Sequence, residues 1–219
     1  LLVELSLSNC SVITSAGIAA CGPYCIQLLD VMFCLHQLDT DVVPFFQHTA
    51  ALINIVACDV VAQAAVHWRS VQFLDLYSTD IDDEAFVCVA RHCVTMRVLR
   101  LSQTRRITDA SMVALSTHSH KLDSLELFAC ELITDDGIVA LAEGCHALKN
   151  ISIVENDNLT YRTAIALARR CTNGFYCSPL HMCDMYCAKL KVYNEHSRWY
   201  KEYKYVRRKK VSYVTYDPL

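Results

Sequence analysis

Apolar residues recur along the chain in a short pattern, apolar-x-x-apolar-x-apolar, which returns every 21 to 26 residues. The last two apolar positions are two residues apart, the spacing of side chains on one face of a β-strand. The pattern therefore predicts one short strand in each of seven units. We align the units on Leu2/Leu5/Leu7/Cys10, Ile26/Leu29/Val31/Cys34, Ala50/Ile53/Ile55/Cys58, Val71/Leu74/Leu76/Thr79, Met96/Leu99/Leu101/Thr104, Leu122/Leu125/Leu127/Cys130 and Leu148/Ile151/Ile153/Asn156.

The second half of each unit predicts a helix. In Ile133–Ala142, a Thr-Asp start signal precedes apolar residues at helical spacing. The same arrangement occurs in 107–115 and 13–18, and more loosely in 81–86, whereas 59–69 has only a weak helical signal. Stacked strand–helix units give an α/β solenoid with parallel strands on the concave face and helices on the convex face. We place this domain at residues 1–171.

The unit L-x-L-x-x-C-x-x-I-T-D-x-G-I, matched almost throughout by residues 122–147, resembles the cysteine-containing leucine-rich repeat of F-box adaptor proteins. Cys93, Cys145 and Cys171 also fit that resemblance. It implies a leucine-rich-repeat solenoid. F-box members capture a substrate with the solenoid and join a cullin ubiquitin ligase through a helical F-box, which is not present before Leu1. The chain opens in mid-pattern, so we expect an upstream segment.

Most of the thirteen cysteines are interpreted as structural thiols. Cys10, Cys34, Cys58 and Cys130 occupy one position of the alignment, where Thr79 and Thr104 stand in other units. A ladder of small buried thiols packs as apolar residues. We therefore expect unbridged cysteines and a reducing intracellular compartment, in preference to a disulfide scaffold.

The residues that the repeat leaves on the concave face form the candidate partner-binding site. A polar position alternates with positions that are mostly apolar, and contiguous exposed apolar surface is typical of an interface. Either a separate macromolecule or the chain's own C-terminal segment covers this face. The candidate residues are Leu28, Asp30, Met32, Asn54, Val56, Phe73, Asp75, Tyr77, Arg100, Glu126 and Phe128.

A basic, aromatic C-terminal extension is predicted at 172–219, with irregular structure. Residues 189–219 carry nine Lys/Arg and three acids, about +6, which leaves about −9 for 1–188 of the total −3. We interpret this segment as an anchor on an acidic protein surface, ahead of nucleic-acid binding through phosphates and base stacking and of membrane-surface binding. Its candidate residues are Trp199, Tyr200, Tyr203, Arg207, Arg208, Lys209 and Lys210.

Two clusters are weak metal-site candidates. Cys177, His181, Cys183 and Cys187 offer zinc ligands but lack a C-x2-C knuckle, and His118-Ser119-His120 has no third ligand placed near it. Phosphate-binding glycine loops, nucleophile elbows and H-E-x-x-H are missing from the sequence. We expect no enzyme activity, no cofactor and no bound metal.

No apolar run approaches the roughly 18 residues of a membrane span, so we expect no transmembrane segment. The leading interpretation is a non-enzymatic scaffold, a structural subunit that binds other proteins of a larger assembly, for example flagellar or mitochondrial. Its compartment is then the cytoplasm or cytoskeleton, or the mitochondrion. The alternative is an F-box-type substrate-recognition adaptor whose F-box lies upstream.

Overall fold

The computed structural model describes residues 2–7, 13–32, 39–56, 61–153, 155–170 and 174–177. Its strands form one parallel sheet in which each strand pairs with the next one along the chain. This arrangement confirms the predicted α/β solenoid. The strands are β1 (Glu4–Ser6), β2 (Asp30–Met32), β3 (Asn54–Val56), β4 (Phe73–Asp75), β5 (Val98–Arg100), β6 (Ser124–Glu126), β7 (Asn150–Ile153) and β8 (Gly174–Cys177).

The helices follow the strands in alternation, and neighbouring helices pack against one another. Three of them begin where Thr-Asp or Thr-Ser signals predicted, with the threonine hydroxyl accepting a hydrogen bond from a backbone N–H of the first turn. The helices are α1 (Ser15–Cys21), α2 (Val43–His48), α3 (Val61–Ala65), α4 (Asp83–His92), α5 (Asp109–His118), α6 (Asp135–Gly144) and α7 (Tyr161–Arg170).

Strand pairing corrects our alignment of the second and third units. Val31 pairs with Leu5, and Ile55 pairs with Leu74, so both occupy the first of the two inward positions rather than the second. The alignment was therefore wrong by two residues. A shift of two keeps every strand residue on its own face, so the alternation of apolar residues could not distinguish the two registers.

With the corrected register, Leu28 and Leu52 belong to the core instead of the concave face. Both precede their strands by two residues and are fully buried, 0% and 1% exposed. In Leu28 the backbone N–H donates to the carbonyl of Cys25 at 3.0 Å, which closes a turn. Strand alternation does not extend through that turn. The prediction that Leu28 lies on the concave face is therefore wrong.

Of the four cysteines in the predicted ladder, Cys130 lies within the described residues. Cys130 is fully buried and unbridged, and its thiol donates to the carbonyl of Leu101 at 3.0 Å. Thr79 and Thr104 are buried at the equivalent position, as predicted. In the observed register Cys34 and Cys58 are no longer equivalent to Cys130, because they lie three residues after the first inward residue and Cys130 lies five after it. Cys10, Cys34 and Cys58 themselves lie outside the described residues.

Successive helices are joined by carboxylates at their first residues. Asp109 accepts hydrogen bonds from the backbone N–H and the hydroxyl of Thr134, at 2.8 and 2.6 Å. Asp83 binds Thr108 of the next unit in the same way. Asp135 binds Thr160, again one unit along. The threonine of each I-T-D signal therefore caps its own helix, while the aspartate holds the next one.

The same carboxylates make stability depend on pH. Burial alone raises the pKa of Asp83 and of Asp135, but hydrogen bonds from Ser111 and Thr108, and from Thr160 and Thr163, outweigh it and lower both pKa values below 3.8. A lowered folded-state pKa gives stability that is complete above the unfolded-state pKa and is lost as the pH falls through the folded-state value.

We therefore expect the free energy of unfolding to fall as the pH drops below about 4, because the two carboxyls must then be protonated. Urea unfolding at a series of pH values measures this dependence. The doubly substituted Asp83→Asn/Asp135→Asn protein is the control and should show a shallower slope. Equal slopes in the two proteins would contradict the assignment.

The sheet continues past the domain boundary that we placed at residue 171. Strand β8 begins at Gly174 and pairs in parallel with β7, with Ile151 opposite Phe175. The repeat sheet therefore includes the first residues of the segment that we assigned to the C-terminal extension, and a truncation designed to spare the sheet must follow Cys177.

Candidate interaction surface

The concave face presents three rows of side chains that run across the strands. The register defines the first row as Glu4, Asp30, Asn54, Phe73, Val98, Ser124 and Asn150. The second row is Ser6, Met32, Val56, Asp75, Arg100, Glu126 and Ser152. Two residues further along the chain, the third row contains Tyr77, Ser102 and Phe128.

The residues in each row differ from the predicted grouping into one polar position and neighbouring apolar positions, because the strand register was corrected. Asp30 and Asn54 lie beside Phe73 in the first row, not beside Asp75. Met32 lies in the second row, separate from Tyr77. The face therefore mixes polar and apolar side chains within each row instead of separating them into stripes.

Arg100 is the centre of the second row. Its guanidinium forms ion pairs with Asp75 at 3.5 Å and Glu126 at 3.2 Å, one on each neighbouring strand. It also lies 5.2 Å from the ring centroid of Phe73, within cation–π range. Burial alone lowers the pKa of Arg100, but the two carboxylates outweigh it and raise the pKa. The pairs hold the planar guanidinium in place while its side chain stays 42% exposed.

Aromatic residues lie on the same face as this ion-pair cluster. Tyr77 is 55% exposed, and its backbone N–H donates to Asp75 at 3.0 Å. Phe73 and Phe128 are half-buried, while Ser102 in the third row is buried. Arginine and tyrosine side chains that are held in place yet accessible are the types enriched among interface hot spots.

An open groove of about 490 Å³ lies at the N-terminal end of the same face. Its walls include Glu4, Asp30, Met32, Asn54 and Phe73. The Asn54 amide donates to the Asp30 carboxylate, and Met32 is 41% exposed. Within the described residues, Glu4 and Asp30 have no cationic partner within ion-pair distance. The groove is therefore acidic with an apolar component.

The structure thus brings most of the predicted concave residues together on one face. Asp30, Met32, Asn54, Phe73, Asp75, Tyr77, Arg100, Glu126 and Phe128 lie there. Val56 is in the second row by its backbone register only, because its side chain is not described. The ion pairs of Arg100 were not predicted, although opposite charges at equivalent positions of adjacent units were visible in the aligned sequence.

The tail-anchor and zinc candidates fall largely outside the described residues. Residues 178–219 contain Trp199, Tyr200, Tyr203, Arg207, Arg208, Lys209 and Lys210, as well as His181, Cys183 and Cys187. Cys177 ends β8, and only its backbone is described. In the described part of the chain, no three His, Cys, Asp or Glu residues come together as metal ligands.

Most of the described cysteine thiols are buried, and burial makes two of them difficult to deprotonate. All six cysteines whose side chains are described are free, and four of them are buried. Burial, with the neighbouring Cys88 adding to it, raises the pKa of Cys93 to about 12, and burial raises that of Cys145 to about 12. A thiol with so high a pKa is protonated at neutral pH and is a poor nucleophile. Cys93 and Cys145 therefore act as packing groups.

No helix in the described ranges is both long and apolar enough to cross a membrane. The helices run to ten residues at most, as the repeat requires.

Parallel strands of three or four residues that alternate with helices and are joined in chain order define the leucine-rich-repeat fold. A leucine-rich-repeat family model matches residues 118–142, which is a single unit of the sheet. No curated protein sequence matches the chain.

Among solved structures, the chain resembles one in a crystal structure of the Rad7 and Elc1 complex in yeast, with a TM-score of 0.46 and 13% identity. The match covers 76% of this chain and 52% of that one, so the chain spans about half the length of the matched structure. Proteins with this repeat fold generally bind other proteins, and the concave face is their usual contact surface.

Proposed function

We propose that this protein is a non-enzymatic scaffold, a structural subunit of a larger intracellular assembly, and that its concave face binds a protein partner. The observation that supports this most directly is Arg100, which is held between Asp75 and Glu126 with its guanidinium 5.2 Å from the ring centroid of Phe73. An arginine that is already held by two ion pairs loses little conformational entropy when a partner covers it. Such a group suits a docking centre.

The C-terminal segment supplies a second contact in this proposal. Its net charge of about +6 and its aromatic residues suit an acidic protein surface, with nucleic acid as the weaker alternative. Since β8 belongs to the sheet, removal of residues 178–219 should leave the repeats paired, and the proposal assigns any loss of assembly to the tail.

We expect Tyr77→Ala and Arg100→Ala each to lower the recovery of copurifying partner protein roughly tenfold, because truncation of hot-spot side chains costs most of an interface's affinity. The measurement is quantitative mass spectrometry of proteins that copurify with the tagged natural protein. The matched control is Val113→Ala. Val113 lies on helix α5, on the convex side, and is 49% exposed.

The outcome of this experiment separates three cases. Partners that are lost in the concave variants but kept in Val113→Ala support concave docking. Equal recovery in all variants contradicts it. Recovery of cullin-ligase subunits, with a partner whose abundance rises when the protein is depleted, favours the F-box-type adaptor, which the match of residues 122–147 to the cysteine-containing repeat also favours.

A further inference from the structure

The two edges of the solenoid carry opposite charge. We call the loops that enter the strands the strand-start edge, with described residues 2–3, 22–29, 49–53, 66–72, 91–97, 118–123 and 144–149. We call the loops that leave the strands the strand-end edge, with described residues 39–41, 77–84, 102–109, 128–136 and 155–162. The strand-start edge has five Lys/Arg, five His and one acid. The strand-end edge has twelve acids and three arginines.

Helix capping explains only part of this separation. Each helix begins at the strand-end edge and ends at the strand-start edge, and acids in a first turn and cations in a last turn interact favourably with the helix dipole. Asp83 and Arg91 of α4 fit that explanation. Arg69, Lys121 and Lys149 lie in loops beyond the helix ends, so the dipole of a helix does not account for them.

Several of these charges are unused within the described structure. Lys121 and Lys149 on the strand-start edge are exposed, and the described residues offer them no ion pair. The same holds for Glu131, Glu155 and Asp157 on the strand-end edge. By contrast, the strand-end arginine Arg106 already pairs with Asp80 and Asp82.

The unused charges match unit by unit. Lys121 enters β6 and Glu131 follows it, while Lys149 enters β7 and Glu155 and Asp157 follow that strand. Neighbouring parallel strands lie about 4.8 Å apart, so both rows follow the same curve. In the register Glu131 is equivalent to Asp157, whereas Lys121 lies two residues before the position equivalent to Lys149. A second copy displaced along the strand direction would therefore bring lysines against carboxylates in both units.

We propose that copies of this chain associate edge to edge, with the strand-start edge of one copy on the strand-end edge of the next. The contact centres on the sixth and seventh units, because in the fifth unit Arg105 would face Arg97, which already pairs with Asp123 at 3.0 Å. Such an interface is heterologous, since different surfaces of the two copies meet. It leaves the concave face open and does not depend on the docking proposed there.

Sedimentation velocity of the full chain tests this association with two charge-reversed variants. In the sixth and seventh units, Lys121→Glu/Lys149→Glu places acids on both edges, and Glu131→Lys/Asp157→Lys places lysines on both edges. We expect the unsubstituted protein to self-associate at low salt and to become monomeric near 1 M salt, where the screening length falls to about 3 Å. Each variant alone should show an apparent dissociation constant at least tenfold higher, and an equimolar mixture should recover association.

The controls separate this interface from other causes. Val113→Lys adds one charge in the exposed middle of α5, away from both edges, and should leave association unchanged. Circular dichroism shows whether each variant is folded. If Lys121→Glu/Lys149→Glu does not fold, Lys121→Ala/Lys149→Ala is measured in its place.

Three results would overturn the proposal: an unsubstituted protein that stays monomeric at low salt, variants that associate as it does, or a mixture that does not recover. A fourth result would also overturn it, namely that Glu131→Lys/Asp157→Lys abolishes association while Lys121→Glu/Lys149→Glu associates fully. That result would identify the basic segment 189–219, rather than the strand-start edge, as the cation.

Discussion

Leu125→Ala should lower the free energy of unfolding by about 2 to 5 kcal/mol, the range for opening a cavity in a packed core. Leu125 is 1% exposed in the middle of β6. Its register partners, Leu99 on β5 and Ile151 on β7, are equally buried. Neighbouring units hold the backbone on both sides, so the site has little freedom to collapse onto the missing methyl groups.

Urea unfolding measures this loss as a lower midpoint at an unchanged slope. Val113→Ala provides the comparison, because it also shortens an aliphatic side chain but at a position 49% exposed, where substitutions usually change stability by less than about 0.5 kcal/mol. Equal effects of the two substitutions would show that the assigned register of β6 is wrong.

The fold could be predicted where several independent signals agree. In residues 122–147 the apolar spacing, the Thr134 cap and the inward Cys130 all indicate the same unit, and the structure shows strand β6 and helix α6 there. Residues 26–34 contain less information about the strand register, because Leu28, Leu29 and Val31 are all apolar. Two registers two residues apart then satisfy the same alternation, and only pairing with β1 and β3 decides between them.

The candidate surface shows the same limit. The polar concave positions were visible in sequence because the repeat leaves them unconstrained, and Asp75, Arg100 and Glu126 were correctly aligned. Their ion pairs depend on side-chain geometry across three strands, which a one-dimensional pattern does not contain. The placement of Leu28 failed for a related reason, because that residue lies in a turn where strand alternation has ended.

The contacts between helices were missed although their residues were named. The I-T-D signal was interpreted as a cap within one unit, which is correct for Thr134. The following aspartate acts on the next unit, 25 residues along, where Asp109 accepts from Thr134. Propensity arguments describe local structure, so a carboxylate whose partner lies in another unit looks like an ordinary first-turn acid.

Asp135→Ala should be the most damaging substitution of a polar residue, with a loss of about 2 to 4 kcal/mol, because it leaves buried donors without an acceptor. Asp135 is 7% exposed and accepts from the backbone N–H groups of Thr160 and Thr163, at 2.8 and 3.2 Å. It also accepts from both threonine hydroxyls. The hydroxyls can rotate to other acceptors, but the two N–H groups at the start of α7 cannot.

A matched variant distinguishes the contribution of the negative charge of Asp135 from that of its hydrogen-bond acceptor oxygens. Asp135→Asn keeps the size and one acceptor oxygen but loses the charge that favours a helix N-terminus, so we expect about half the loss of the alanine variant. Urea unfolding gives the overall stability, and hydrogen exchange shows where protection is lost. That loss should concentrate in 160–170 while 122–142 stays protected, because Asp135 holds the next helix rather than its own. Protection lost first within α6 would mean that the aspartate acts as a local cap and that the helices are not joined in this way.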